Sequence, residues 1–465
     1  MTRPEKRWHK LIKSDFYRNI IGLFSGIFAA RLVPALFAIL IARLYAPDDF
    51  GIFVLFLSIS SLVSIFSNGG YEGALLLAGS ATEKRQLFSL GLKTNAIING
   101  ILLAAMLLTL LVPTPIRGNS LMLLMIPLHA FFFGALQLIR NNFISNKLFK
   151  RLASLELCRA LASGILQSLF FIFPSVGLFL GVTLAQALTF AVFFFYLPEN
   201  ERTDATTGKR RKFHFPLLSR NSLRYTDTEK ALARRYANFP RFSVPSEFFN
   251  FLSSQLPVFM IQPFFGKTML GLYSFSHRYL SIPVQLTSIS IGSVYFQKVR
   301  SLQETPADLE TLTWDLFRKQ VTLGIVPFTL LAFWGKEIFS LLFGAEWAFS
   351  GSLASLLSPW LFMVFTGSPL STILIAREKQ KVSMIFNILL LIARAAVLLA
   401  GGFLLKELTL TIALYSLTGL LFFGFLTFYS LRLAGVKTLR AFFFLAKAAA
   451  LAVVPLLILR LWMTG

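Results

Sequence analysis

Apolar stretches of 20 or more residues recur from one end of this chain to the other, separated by short polar turns. As helix, each is long enough to cross a hydrocarbon core of about 30 Å. Backbone groups in lipid must be satisfied internally, so only helices or a closed barrel fit. The sequence lacks the alternating ten-residue strands of a barrel, which leaves helices. Composition agrees: 55% of the 465 residues are hydrophobic and 14% are charged, against roughly 25% charged in soluble domains. The expected spans are 18–42, 50–77, 88–112, 119–145, 153–173 and 176–197, then 245–265, 270–297, 320–343, 351–376, 382–404, 408–431 and 440–462.

These spans fall into two blocks joined by the hydrophilic stretch Pro198 to Ser243, which carries eleven Lys or Arg. The blocks echo one another. Phe50-Gly51-Ile52-Phe53 matches Leu270-Gly271-Leu272-Tyr273, and a Leu-Ser-Ile triplet follows in both. Duplicated helical bundles are the usual plan of secondary transporters, with substrate held between the halves. Six spans precede the linker, so the second block starts on the same side and repeats the topology of the first. The expected fold is therefore an all-α polytopic membrane protein: two pseudo-symmetric six-helix bundles around a central cavity, plus an extra C-terminal span. The expected divisions are residues 1–197, the basic cytoplasmic linker 198–243, the second bundle 244–432, and an additional helix in 433–465.

A formal net charge of +24 raises the question of nucleic acid, but the placement of the charge answers it. With the N-terminus inside, the cytoplasmic face receives Lys84, Arg85, Lys147, Lys150, Arg151, all of 198–243, Lys298, Arg318, Lys319, Arg377, Lys379 and Lys381. The outer face receives only Arg43, Arg117, Lys267, Lys336 and Lys406. This is the positive-inside asymmetry of membrane topology. The linker reads as a connector resting on anionic phospholipid headgroups or as a docking site for a partner. The first apolar run is too long for a cleavable signal and reads as an uncleaved span. Cys158 is alone, so no disulfide or cysteine metal site arises within one chain. Thr305-Pro306 opens a segment that reads as an amphipathic helix on the inner surface, ending before the ninth span.

No hydrolytic or transfer motif is present, and no cofactor or metal site is expected. What the spans hold is cation: Arg31, Arg159, His277, Arg278 and Arg394. A charge at mid-bilayer costs roughly 2.5–3.5 kcal/mol on insertion scales, so such residues mark a cavity or pathway. Arginine suits phosphate oxygens, which makes these five the expected substrate-binding set. The span carboxylates are Glu72, Glu156 and Glu247, too few to match the arginines, and Glu72 and Glu247 read either as counter-ions to them or as a proton-coupling site. Lys93, Arg140, Lys447 and Arg460 are placed to snorkel to an interface.

The phrase Ala42-Arg-Leu-Tyr-Ala-Pro-Asp-Asp-Phe-Gly51 after a long first span resembles the polysaccharide-exporter family of O-antigen flippases. These belong to the multidrug/oligosaccharidyl-lipid/polysaccharide exporter superfamily. The basic turn Asn146-Lys-Leu-Phe-Lys150 and the twofold layout are similar as well. The resemblance implies alternating-access translocation of an undecaprenyl-diphosphate-linked oligosaccharide in the bacterial inner membrane. It also implies working partners among glycosyltransferases and a polysaccharide polymerase. The rival readings are a multidrug exporter of the same superfamily, a membrane-embedded polymerase or ligase, and a structural scaffold.

Overall fold

The computed structural model describes residues 32–111, 120–197, 224–301 and 306–464, and all their regular structure is helical. The elements are α1 (Leu32–Leu44), α2 (Pro47–Ser67), α3 (Ala81–Leu111), α4 (Ser120–Ser145), α5 (Phe149–Leu169), α6 (Pro174–Phe194) and α7 (Asp227–Arg235). There follow α8 (Val244–Ser301), α9 (Pro306–Phe343), α10 (Ala348–Gly367), α11 (Gln380–Ala400), α12 (Leu408–Leu433) and α13 (Thr438–Thr464). Ten of these helices are long and apolar enough to cross a membrane. The chain is a multi-pass membrane protein.

Local chemistry sets most boundaries. Helix α2 opens on Pro47 with Asp48 and Asp49 in its first turn, where a fixed φ and negative charge both suit a helix start. It ends at Ser67, ten residues short of the expected span, because Gly69 (φ 61°) and Gly70 (φ 76°) turn the chain through the left-handed region. A single turn, Tyr71–Ala74, follows before α3. Helix α8 is two helices meeting at Gly266 (φ 86°, ψ 172°), which accounts for the two spans expected there. Helix α9 corrects another expectation. The surface segment does not stop before the ninth span but runs into it, since nothing between Pro306 and Lys319 halts a helix. The break comes later, at Trp334 (φ −121°, ψ 20°), while Thr305 lies outside the described residues.

Contacts divide the chain into one unit of residues up to Tyr45 with Ile52–Gln255, and a second of Ala46–Gly51 with Leu256–Gly465. Residues 224–255, placed by sequence in the linker and the second block, thus pack with the first unit. The end of the linker is a strap. Thr226 and Glu229 form a capping box that starts α7, each satisfying the other's backbone N–H. The Glu229 carboxylate accepts from Lys93 (2.8 Å) and from Ser89 (2.8 Å) on α3. Lys93 and Glu229 are both buried. Arg235 and Tyr236 bond to Glu83 at 2.9 and 3.0 Å, and Tyr236 enters the core with Phe190, Phe193 and Phe194.

In the second unit the two echo glycines meet reciprocally. A Cβ on Gly51 would overlap the Lys267 carbonyl oxygen, and one on Gly271 would overlap that of Pro47. Each clash lies four residues before the other glycine. Asp48 pairs with Lys267 (3.0 Å) and accepts from Thr268, while Phe50 packs edge-on against Phe275 and Trp347. Helix α13 sits at the periphery on α9, with the Arg440 guanidinium 4.2 Å above the Trp314 ring.

Candidate functional site

Four helices of the second unit bring one arginine, a histidine and aromatic rings together. Tyr273 and His277 lie one turn apart on the second arm of α8, so their rings stack at 5.9 Å and 16°. The other neighbour of His277 is Trp360 of α10, at 5.7 Å and 21°. Trp360 meets Tyr415 of α12 edge-on at 5.5 Å. Tyr273 also lies close to Tyr415.

Arg394 of α11 completes the group. Its Cζ lies 4.8 Å from the Trp360 ring centroid and 5.0 Å from that of Tyr415. A desolvated cation over a ring gains on the order of 2 kcal/mol, which helps offset the cost of its depth. Among the described residues no carboxylate pairs with Arg394. Its Nε and Nη2 are buried without a hydrogen-bond partner, as is the indole nitrogen of Trp360. The cluster therefore offers donors and positive charge, a chemistry suited to a ligand rich in oxygen acceptors.

The first unit arranges its ions differently. Glu156 of α5 lies between Arg159 (2.7 Å) and Arg140 (3.4 Å), so the carboxylate neighbouring these arginines is Glu156. Glu72 sits on the turn after Gly70, buried, with Oε2 unpartnered. Burial pushes its carboxyl up to about 7. The nearby Glu247 adds to the shift, against hydrogen bonds from its own backbone N–H and from Asn68. Asn141 donates to the Glu72 carbonyl at 3.0 Å, and Asn68 belongs to a buried ladder. In that ladder Asn99 donates to Asn95 (2.6 Å), Asn95 to Asn68 (3.1 Å), and Asn68 to the Gly134 carbonyl (2.9 Å).

Of the expected site residues, the structure brings His277 and Arg394 into one cluster. Arg278, next in the chain to His277, is exposed. Arg159 is held by Glu156, Glu72 and Glu247 are near one another in the first unit, and Arg31 lies outside the described residues. Sequence reasoning missed Trp360 and Tyr415 as partners of Arg394, and Tyr273 as the neighbour of His277. It also missed Glu229 as the partner of Lys93, though the Thr226-x-x-Glu229 pattern was there to find.

Comparison with known proteins supports this picture from two sides. A family described as "Polysaccharide biosynthesis protein" matches residues 221–351. The capsular polysaccharide biosynthesis protein CapF of Staphylococcus aureus is 30% identical over 142 residues, 30% of this chain. That match takes in 36% of the relative's own length. Among solved structures, the lipid II flippase MurJ in an inward closed conformation aligns with a TM-score of 0.68 and 15% identity. That alignment covers 94% of this chain and 92% of MurJ. An inward-facing multidrug resistance transporter of the MOP superfamily aligns at TM-score 0.58 and 13% identity, over 88% of this chain and 95% of that one. The chain has the all-helical fold of these transporters, and the resemblance to polysaccharide-exporting flippases carried by Ala42–Gly51 is borne out.

Proposed function

We propose that this protein is a flippase of the bacterial inner membrane, with its N-terminus in the cytoplasm. It moves an undecaprenyl-diphosphate-linked oligosaccharide from the inner to the outer leaflet by alternating access. Its fold is that of transporters, and its sequence matches a polysaccharide biosynthesis family. The observation that carries the choice of cargo is the Arg394 guanidinium, its Nε and Nη2 buried beside aromatic rings, with no carboxylate pairing with it among the described residues. An exporter of cationic drugs needs the opposite charge there. Arg31, Arg278 and Arg394, with His277, are the contacts we assign to the diphosphate and sugars, and Arg159 a weaker one because Glu156 neutralises it. Glu72 and Glu247 are the coupling candidates. A ligand drives such a cycle only by binding one state more tightly than the other. Glycosyltransferases would supply the cargo and a polymerase would consume it.

The test is reconstitution of the full chain into vesicles holding a fluorescent lipid-diphosphate saccharide, with leaflet exposure read by an impermeant quencher. The protein should speed the appearance of lipid in the opposite leaflet well beyond protein-free vesicles. Equal rates in both would end the proposal.

A further inference from the structure

The edges of the Arg394 guanidinium are not equivalent. Its Cζ lies over the rings of Trp360 and Tyr415, at 4.8 and 5.0 Å. Nε and Nη2 point to the same side and form the edge that grips two oxygens of one phosphate or carboxylate in parallel. Both of these nitrogens are buried and have no acceptor among the described residues. The third orphan donor is the indole nitrogen of Trp360, a side chain only 5% exposed. It belongs to the same ring that supports the guanidinium. Buried donors are nearly always satisfied, so three in one cluster call for a specific acceptor.

The surroundings narrow the acceptor. Among the described residues no carboxylate pairs with Arg394, and no acceptor reaches its Nε, its Nη2 or the Trp360 indole nitrogen. The backbone of α12 opposite the indole is Gly419. A Cβ there would lie 2.5–2.7 Å from Trp360 Cδ1, Cγ and Nε1, so the indole is seated directly on bare α12 backbone.

We infer that the Nε–Nη2 edge of Arg394 and the Trp360 N–H form a buried seat for an oxyanion, a phosphate or carboxylate group, within the second unit. The seat rests on the transport reading in so far as both use Arg394, and the experiment separates the two. The oxyanion has two possible sources, the anionic part of a cargo or a free anion of the cell.

The experiment uses the purified full chain in nanodiscs of uncharged phosphatidylcholine, titrated with inorganic phosphate, then acetate, with chloride as the anion that cannot span a fork. Binding is read by tryptophan fluorescence and by thermal stability. Phosphate should bind saturably and raise the melting temperature, with chloride much weaker. Arg394→Lys keeps the charge but loses the fork, and should weaken phosphate at least tenfold while unfolding at nearly the wild-type temperature in the absence of anion. Trp360→Phe should remove most of the fluorescence response, and Gly419→Ala, which crowds the indole, should weaken binding without touching the arginine. No saturable phosphate or acetate binding by wild type would overturn the seat, as would unchanged affinity in Arg394→Lys. In the vesicle assay, loss of flipping in Arg394→Lys together with inhibition by added phosphate identifies the cargo's own oxyanion. Unchanged flipping with lost phosphate binding identifies a free anion, and the seat stands in both cases. Arg394-dependent phosphate binding without any flipping by wild type would refute the transport reading alone.

Discussion

Glu72 is a carboxyl group held at the edge of ionisation. It sits on one turn between two spans, 9% exposed, and burial first, then Glu247, brings its pKa to about 7 from an ordinary value near 4.5. The folded protein keeps this proton to near pH 7, whereas the unfolded chain releases it near pH 4.5. Between those values the folded state binds more protons, so stability falls as pH rises and stays at the lower level above them. Glu72→Gln, which cannot ionise, should raise the melting temperature by several degrees at pH 8 and hardly at all at pH 4.5. Equal differences at the two pH values would show that Glu72 is not the group responsible. Its importance was legible because carboxylates are scarce in these spans, but its neighbour Glu247 lies 175 positions away and no spacing announces the pair. Arg394 shows the same limit: a deep arginine is visible in sequence, while the rings that hold it come from two other helices and look like ordinary apolar bulk until packed.

Helix α7 shows what a basic linker can hide. Glu229 is pushed up by burial, yet the hydrogen bonds from Lys93, the Thr226 N–H and Ser89 outweigh that and leave its carboxyl below the usual range. Its contribution to holding the strap is present at neutral pH and is lost as pH falls through that depressed value. Removing one partner of a buried pair strands the other charge, a loss of about 3–5 kcal/mol, whereas replacing both by apolar groups recovers much of it. Lys93→Met should therefore expose Arg234 and Arg235 to trypsin, and Lys93→Met with Glu229→Leu should restore much of the protection. Equal cleavage in the single and double variants would mean the pair does not hold the strap. Boundaries set by backbone chemistry, such as Pro47 and the Gly69-Gly70 turn, were written in the sequence, although hydropathy overran the second of them. Hydropathy measures only how apolar a run is, so it missed the strap, whose charges are buried by pairing, and it split α9 where no residue breaks a helix.

At the scale of the molecule, period and charge were enough to give the helical membrane fold, and the internal echo was enough to suggest a transporter. The echo could not show that its two glycines touch. The second unit packs backbone against backbone at Gly51 and Gly271, so a methyl group at either meets a carbonyl that cannot swing away. Gly51→Ala and Gly271→Ala should each destabilise by about 1–3 kcal/mol, as overpacking does. Gly100→Ala is the control: its Cβ would meet nothing within 4 Å among the described residues, and it should be neutral or stabilising by up to about 1 kcal/mol. Thermal unfolding in a fixed detergent would compare all three, and equal losses would show the crossing to be slack. The same crossing bears on biogenesis. Asp48 meets Thr268 across 220 positions, so the first turn of α2 leaves the ribosome long before the surface it completes exists. Until then the insertion machinery must carry an apolar helix whose leading turn is unmatched. For the same reason, a fragment beginning at Leu256 lacks the hexapeptide Ala46–Gly51 and should gain stability when that peptide is supplied in trans.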